Sequence, residues 1–275
     1  MVSMDLGNAL LLPLRSSRAK SRDLGTHPKM SRLRSTRTGL GSFGCALALA
    51  FAPPAAAQPG DRIDRIEREI TALSAEVDRL EGARAVKKLQ RAFGYYVDRG
   101  LWDEAADLFA EDGTIEIGQD GIYAGKARVR AYLERLGGGH PGLAYGQLNE
   151  WLQLQPVVTL APDGGSAKAR WRDLGMLGDF GKSATWRDGI YENDYVRQEG
   201  VWKIRRLHLF VHFAAPYEGG WARLKPAAAD WRSAAAKAFP PDRPPSARYR
   251  PFPEPQLPPF HYPNPVTGKI SGKQP

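Results

Sequence analysis

The sequence predicts an α+β domain built on an antiparallel sheet, and three observations predict it. Apolar residues recur at helical spacing in the first half of the foldable chain; four strand-like stretches then follow one another; and glycine turns separate them. Runs of helix followed by runs of strand pack as α+β, whereas a parallel βαβ fold alternates the two.

Asp61 to Glu81 places Ile63, Ile66, Ile70, Leu73, Val77 and Leu80 at alternating steps of three and four, with charged residues between them. This is a seam of three heptads, marginal as an independent coiled coil. Two expectations stand beside each other: an amphipathic helix packed on its own domain, or one that joins subunits into a homo-oligomer. Beyond Gly82 the spacing continues through Val86, Leu89, Phe93 and Tyr96 until Asp98-Arg99-Gly100 breaks the helix. A second helix begins over Leu101 to Phe109, Asp112-Gly113 is a turn, Thr114 to Gly118 a strand, and Gly125 to Leu136 a third helix. The strand-like stretches are Leu148 to Leu160, Ala167 to Leu177, Gly189 to Gln198 and Val201 to Phe213. Asp163-Gly164-Gly165 and Glu199-Gly200 supply hairpin turns.

The ends differ in character from this middle. Arg32, Arg34 and Arg37 precede the apolar run Leu40 to Ala52, then Pro53-Pro54 and Ala55-Ala56-Ala57. That order is a cleavable export signal, with a start at Met30 as an alternative to Met1. The run is too short to span a membrane, which takes roughly 20 residues. Export to the periplasm or medium is therefore expected, with no membrane span after cleavage. Four regions follow: 1–57 targeting, 58–83 heptad helix, 84–215 the domain, and 216–275 a proline-rich tail. The tail's Trp221, Trp231, Phe252, Phe260 and Tyr262 suit a segment that wraps the domain or a neighbouring subunit.

Charge adds a constraint. The chain of 275 residues has a formal charge of +9, of which residues 1–57 hold +6. The basicity thus belongs mostly to the targeting segment, and no zinc-finger or RNA-recognition signature is present, so nucleic acid is disfavoured as a partner. The one cysteine, Cys45, lies in the signal's apolar run. No glycine-rich phosphate loop or nucleophile elbow appears.

Within the passage Ala85 to Gly137, the string FGYYVDRGLWDEAADLF resembles the first half of SnoaL-like domains of the nuclear transport factor 2-like superfamily. DGIYENDYVRQEGVWKI, Asp188 to Ile204, resembles their last hairpin. The resemblance covers roughly Arg84 to Phe213. It implies a cone in which three helices pack on a strongly curved antiparallel sheet around a deep apolar pocket. Relatives include ketosteroid isomerase-like enzymes, polyketide cyclases and several dehydratases and lyases, and others only bind or scaffold.

The resemblance also directs attention to particular residues. In dehydratase-like relatives a Tyr and an Asp near the end of the first helix face the pocket; here Tyr95, Tyr96 and Asp98 stand there, ahead of Trp102. Asp98 reads equally as a helix-capping residue. Many relatives carry a histidine near the start of the first long strand, where this sequence has Glu150 and Trp151. The customary histidine is absent; Glu150, if buried, would gain the raised pKa that proton transfer needs, and otherwise is an exposed strand residue. Strand alternation aligns Tyr191 and Asn193 as pocket donors or as a cross-strand packing pair. On the last strand Trp202, Ile204, Arg206, His208, Phe210 and His212 share one parity, Leu207, Leu209 and Val211 the other, so parity alone does not fix the inward face. His208 is the favoured titrating group and His212 its competitor. Arg170 and Arg172 share a face suited to an anionic substrate group or to surface ion pairing. His208 and His212 lie about 13 Å apart on a strand, too far to share a metal.

These residues point to a lyase, dehydratase or isomerase needing no metal or organic cofactor, acting on a hydrophobic hydroxylated aromatic or polycyclic molecule, with His208, Glu150 or Asp98 moving the proton. Tyr96, Tyr191, Asn193, Trp102, Trp151 and Arg172 would hold the substrate. The rival is a non-catalytic ligand-binding or scaffold module of the cell envelope. Asp98, Tyr191 and His208 around one closed pocket, within hydrogen-bonding reach of a common ligand, would favour the enzyme; their placement on separate surfaces would mean dropping it.

Overall fold

The computed structural model describes residues 59–254 and 258–270. The expected export signal, Met30 and Cys45 lie outside the described residues.

Helix α1, Pro59–Asp98, is continuous through Gly82, so the regions 58–83 and 84–215 share one helix. Proline at its first position and Asp61 in its first turn suit a helix start. Its end is a Schellman closure: Gly100, at φ +67°, turns the chain. Leu101 N–H then reaches the Tyr96 carbonyl and Gly100 N–H that of Val97. The two halves of α1 have different fates. Val86, Gln90, Phe93 and Val97 are buried against the sheet, whereas the six seam residues are each 42–67% exposed. Packing of the seam on its own domain is thus not what the chain does among its described residues.

Helix α2, Trp102–Asp107, is shorter than expected, and β1, Phe109–Ile117, starts earlier. Asp112-Gly113 is an irregularity within β1, whose register against its neighbour shifts between Phe109 and Thr114. Strand β2, Ile122–Ala124, has no counterpart in the sequence reading, and α3, Lys126–Leu136, follows as expected. The four long strands are β3, Gln147–Leu160; β4, Ser166–Asp179; β5, Ser183–Gln198; and β6, Val201–Pro216. Glu199 and Gly200 both adopt positive φ, the requirement of a two-residue hairpin whose twist matches its strands.

The six strands form one curved, unclosed sheet in the order β2-β1-β6-β5-β4-β3. It is antiparallel except that β1 and β6 run parallel. No hairpin joins those two, so nothing local sets their relative direction. The core lies between the helices and one face of the sheet, around Phe93, Trp102, Tyr132, Trp171, Tyr191 and Leu209. The tail crosses the opposite, outer face. Ser246 donates to Glu116 on β1, the Tyr249 hydroxyl accepts from Val211 N–H on β6, and Arg170 on β4 donates to the carbonyls of Pro258 and Pro259. No helix among the described residues is long and apolar enough to cross a membrane.

Candidate functional site

On α1, positions 91, 94, 95 and 98 form one stripe along the helix. Arg91, Gly94, Tyr95 and Asp98 face the edge strand β3 and, with Glu150, Trp151, Leu152, Gln153 and Leu154, line a groove of about 350 Å³. Gly94 lets the helix come this close: a Cβ there would stand 2.8 Å from Gln153 Cγ and 3.0 Å from the Trp151 carbonyl. Because β3 is an edge strand, half its backbone donors lack a strand partner, and Asp98 meets one of them. Its Oδ1 accepts the Trp151 N–H at 2.6 Å, and the Asn149 amide donates to the Val97 carbonyl at 2.8 Å beside it. The other carboxylate oxygen makes no hydrogen bond among the described residues. Asp98 is 8% exposed. Burial pushes its carboxyl up to about 6, against the Trp151 hydrogen bond that lowers it, and the neighbouring Glu150 charge raises it further.

Behind the groove lies a buried polar web. Arg187 grips Asp173 with two hydrogen bonds, 2.7 and 3.0 Å, and its guanidinium sits 3.8 Å from the Trp151 ring. The Tyr191 hydroxyl donates to Asp173 at 3.3 Å and accepts from Gln153 at 3.4 Å. Gln153 in turn accepts from Gln90, whose carbonyl oxygen takes the Asn193 amide and the Tyr195 hydroxyl. Each buried polar group in this web has a partner, as a low-dielectric interior requires.

Asp98, Glu150 and Trp151 therefore line one groove. Tyr191 and Asn193 do face the helices, but they are fully buried, bonded within the web and absent from the groove's lining. Tyr96 lies about 100° round the helix from Tyr95 and packs against the core; Tyr95 takes the groove position. Trp102 is a core residue whose indole donates to the His140 carbonyl. Arg172 points to the outer face and pairs there with Asp188 at 2.8 Å, with a side chain 43% exposed.

His208 is the largest departure. The pairing of β5 with β6 slips between Asp194/Arg206 and Tyr195/Ile204, which leaves Arg205 as an extra residue. Inward-facing parity changes there, from Trp202 and Ile204 to Leu207, Leu209 and Val211. His208 consequently lies on the outer face, stacked on Phe210 at 3.8 Å and 3.5 Å from Glu116. His212 shares that face, its Nδ1 2.7 Å from Asp188. Asp98, Tyr191 and His208 do not surround one pocket, so the condition for an enzyme built on these three residues fails. Among the described residues no His, Cys, Asp and Glu cluster could hold a metal.

Asp173, Arg187, Gln90 and Gln153 escaped the sequence reading. A signal existed for two of them: Asp173 shares parity with Ala167, Ala169 and Trp171, and Arg187 with Tyr191 and Tyr195, so each is a charge on an otherwise apolar strand face.

The SnoaL-like domain family matches residues 78–208. No curated protein matches the chain. Similar solved structures include the hexachlorocyclohexane dehydrochlorinase LinA-type3 of Novosphingobium barchaimii LL02, 16% identical over 52% of this chain and 95% of that one, with a TM-score of 0.47. ActVI-ORFA of Streptomyces coelicolor is 19% identical over 46% and 95%, with a TM-score of 0.41. An NTF2-like protein with a cystatin-like fold from Novosphingobium aromaticivorans is 18% identical over 61% and 94%, with a TM-score of 0.38. With three helices packed on a curved six-stranded sheet and a family match that runs from α1 into β6, residues 78–208 form a SnoaL-like domain.

Proposed function

We propose that the domain is an acid/base enzyme, a lyase or isomerase, in which Asp98 removes a proton from a hydrophobic, hydroxylated small molecule lying in the α1–β3 groove. The observation that carries this reading is a carboxyl group pushed up to about 6 at a groove walled by Leu152, Leu154, Tyr95 and Trp151. A base poised near neutral pH combines a deprotonated state with useful basicity. Glu150 helps to raise it, and Arg91 and Tyr95 are placed to orient a hydroxyl or carbonyl of the substrate. Asp98 takes the proton from carbon and, now protonated, returns it to the leaving hydroxyl as water departs, or to a further carbon as a double bond migrates. The test is a screen of the purified chain against hydroxylated aromatic and polycyclic compounds, following loss of water or isomerisation. Turnover that is unaffected by Asp98→Asn would refute the reading.

The exposed seam supports a homodimer through α1. Ile63, Ile70 and Val77 are β-branched at the first core position of each heptad, and Leu73 and Leu80 occupy the second in two of three, the pattern of parallel pairs. Arg62 of one copy then meets Glu67 of the other. Sedimentation should show a dimer that Ile70→Glu converts to monomer, since two buried charges would face each other at one layer. A monomeric parent chain would contradict it.

A further inference from the structure

Past Leu80 the seam of α1 changes chemistry without changing face. Steps of four and three carry the same stripe of the helix through Arg84, Lys88, Arg91 and Tyr95 to Asp98. Val86, Gln90, Phe93 and Val97, buried against the sheet, lie well round the helix from it.

Three observations join this stripe to the groove. It is continuous with it: Arg84, Lys87, Lys88, Arg91, Ala92 and Tyr95 line a hollow of about 360 Å³, and Arg91 and Tyr95 also line the groove at Asp98. Its charge is unopposed. No acidic residue lies between Glu81 and Asp98, and the ion pairs within α1, Arg65–Glu69 and Arg79–Glu76, both lie in its first half. At the joint of the two hollows Tyr95 is 71% exposed, an aromatic ring open to a ligand.

Arg84 with Lys87 and Lys88, and each lysine with Arg91, are like-charge neighbours at steps of three and four, an arrangement that costs helix stability. An anion laid along the stripe offsets that cost. In a pair joined through the seam, like charges at these positions part the two helices beyond Leu80 and keep the stripe open to solvent.

We propose that Arg84, Lys87, Lys88 and Arg91 form an anion-binding arm of the α1–β3 groove, and that the substrate is an elongated hydrophobic acid whose carboxylate lies along this arm. This rests on the reading of Asp98 as the base for the position of the reacting carbon alone. Arg91 stands two helical turns from Asp98, roughly 10 Å, and Arg84 four turns, roughly 20 Å. The acid therefore reacts at one end and is held by its charge at the other. A bare inorganic anion would use the cations and leave Tyr95, Leu152 and Leu154 without a partner, whereas a hydrophobic acid meets both.

The test is fluorescence titration of the full chain with pyrenebutyrate and with pyrenebutanol, which share ring and chain length and differ in charge. At low salt the acid should bind about tenfold more tightly than the alcohol, and added sodium chloride should narrow the difference. Arg84→Gln with Lys88→Gln, both exposed positions, should cut it to about threefold, with circular dichroism confirming the fold. Lys182→Gln with Arg197→Gln, the same loss of charge at the two ends of β5, should leave it unchanged. Tyr95→Ala should weaken both probes. Equal affinity for the two, or a difference that survives Arg84→Gln with Lys88→Gln or falls as far in the β5 variant, overturns the arm and leaves Asp98 as the base. Binding of neither probe overturns the arm and the groove together, and binding that Tyr95→Ala does not weaken places the acid elsewhere on the chain.

Discussion

Asp173→Ala should lower the free energy of unfolding by about 3–5 kcal/mol in urea denaturation, because it strands the Arg187 charge in the interior. Asp173 is fully buried and Arg187 6% exposed, and the pair shares two hydrogen bonds. The cost comes from removing one partner and leaving the other with no counterion, not from the net worth of the pair. Replacing both, as Asp173→Leu with Arg187→Met, should therefore recover a large part of the loss. Arg172→Ala, one strand position away on the outer face, should cost about 0–1 kcal/mol, since its pair with Asp188 is open to water. A loss below about 1 kcal/mol for Asp173→Ala would mean that water reaches Arg187.

Asp98→Asn should reduce turnover by about 10²–10⁴-fold, the usual contribution of a positioned proton-transfer group. Stability should move the other way at high pH. In the folded chain Asp98 holds its proton up to about 6, against an ordinary value of 3.8. Folding takes up a proton between these values, so the stabilisation is complete below about pH 4 and lost as pH rises through 6. Above pH 6 the folded chain carries a buried carboxylate at a cost, and the neutral Asn, which keeps the acceptor for Trp151 N–H, removes that cost. A variant that is inactive yet at least as stable at pH 8 would mark Asp98 as retained for chemistry. A variant that is inactive because it unfolds would return Asp98 to the role of an edge-strand cap. Arg172→Ala should leave turnover unchanged.

Most of the fold was legible because local patterns dictate it. The switch from helical to alternating spacing after Leu136, the break at Asp98-Arg99-Gly100 and the Glu199-Gly200 turn each follow from one or two residues' backbone preferences. The parallel pairing of β1 with β6 follows from no local pattern, since those strands meet only in the finished sheet. The groove's lining was legible in part: Asp98, Glu150 and Trp151 were singled out through the family resemblance, and the 91, 94, 95, 98 stripe of α1 would have chosen Tyr95 over Tyr96. It was illegible where it depends on register. A single bulge at Arg205 reverses the faces of β6, and so His208, the sequence's favoured titrating group, ends on the far side of the sheet from Asp98. Asp173 and Arg187 were visible as charges on apolar faces, but their meeting required the register of β4 with β5.

A base tuned by burial at the groove is read from the titration of the Asp98 carboxylate, followed by carbon-13 NMR in the folded chain. Its midpoint should lie at about 6, with kcat/KM for the substrate found in the screen rising through the same pH. A midpoint at the ordinary 3.8, or a rate that does not follow the titration, would contradict it.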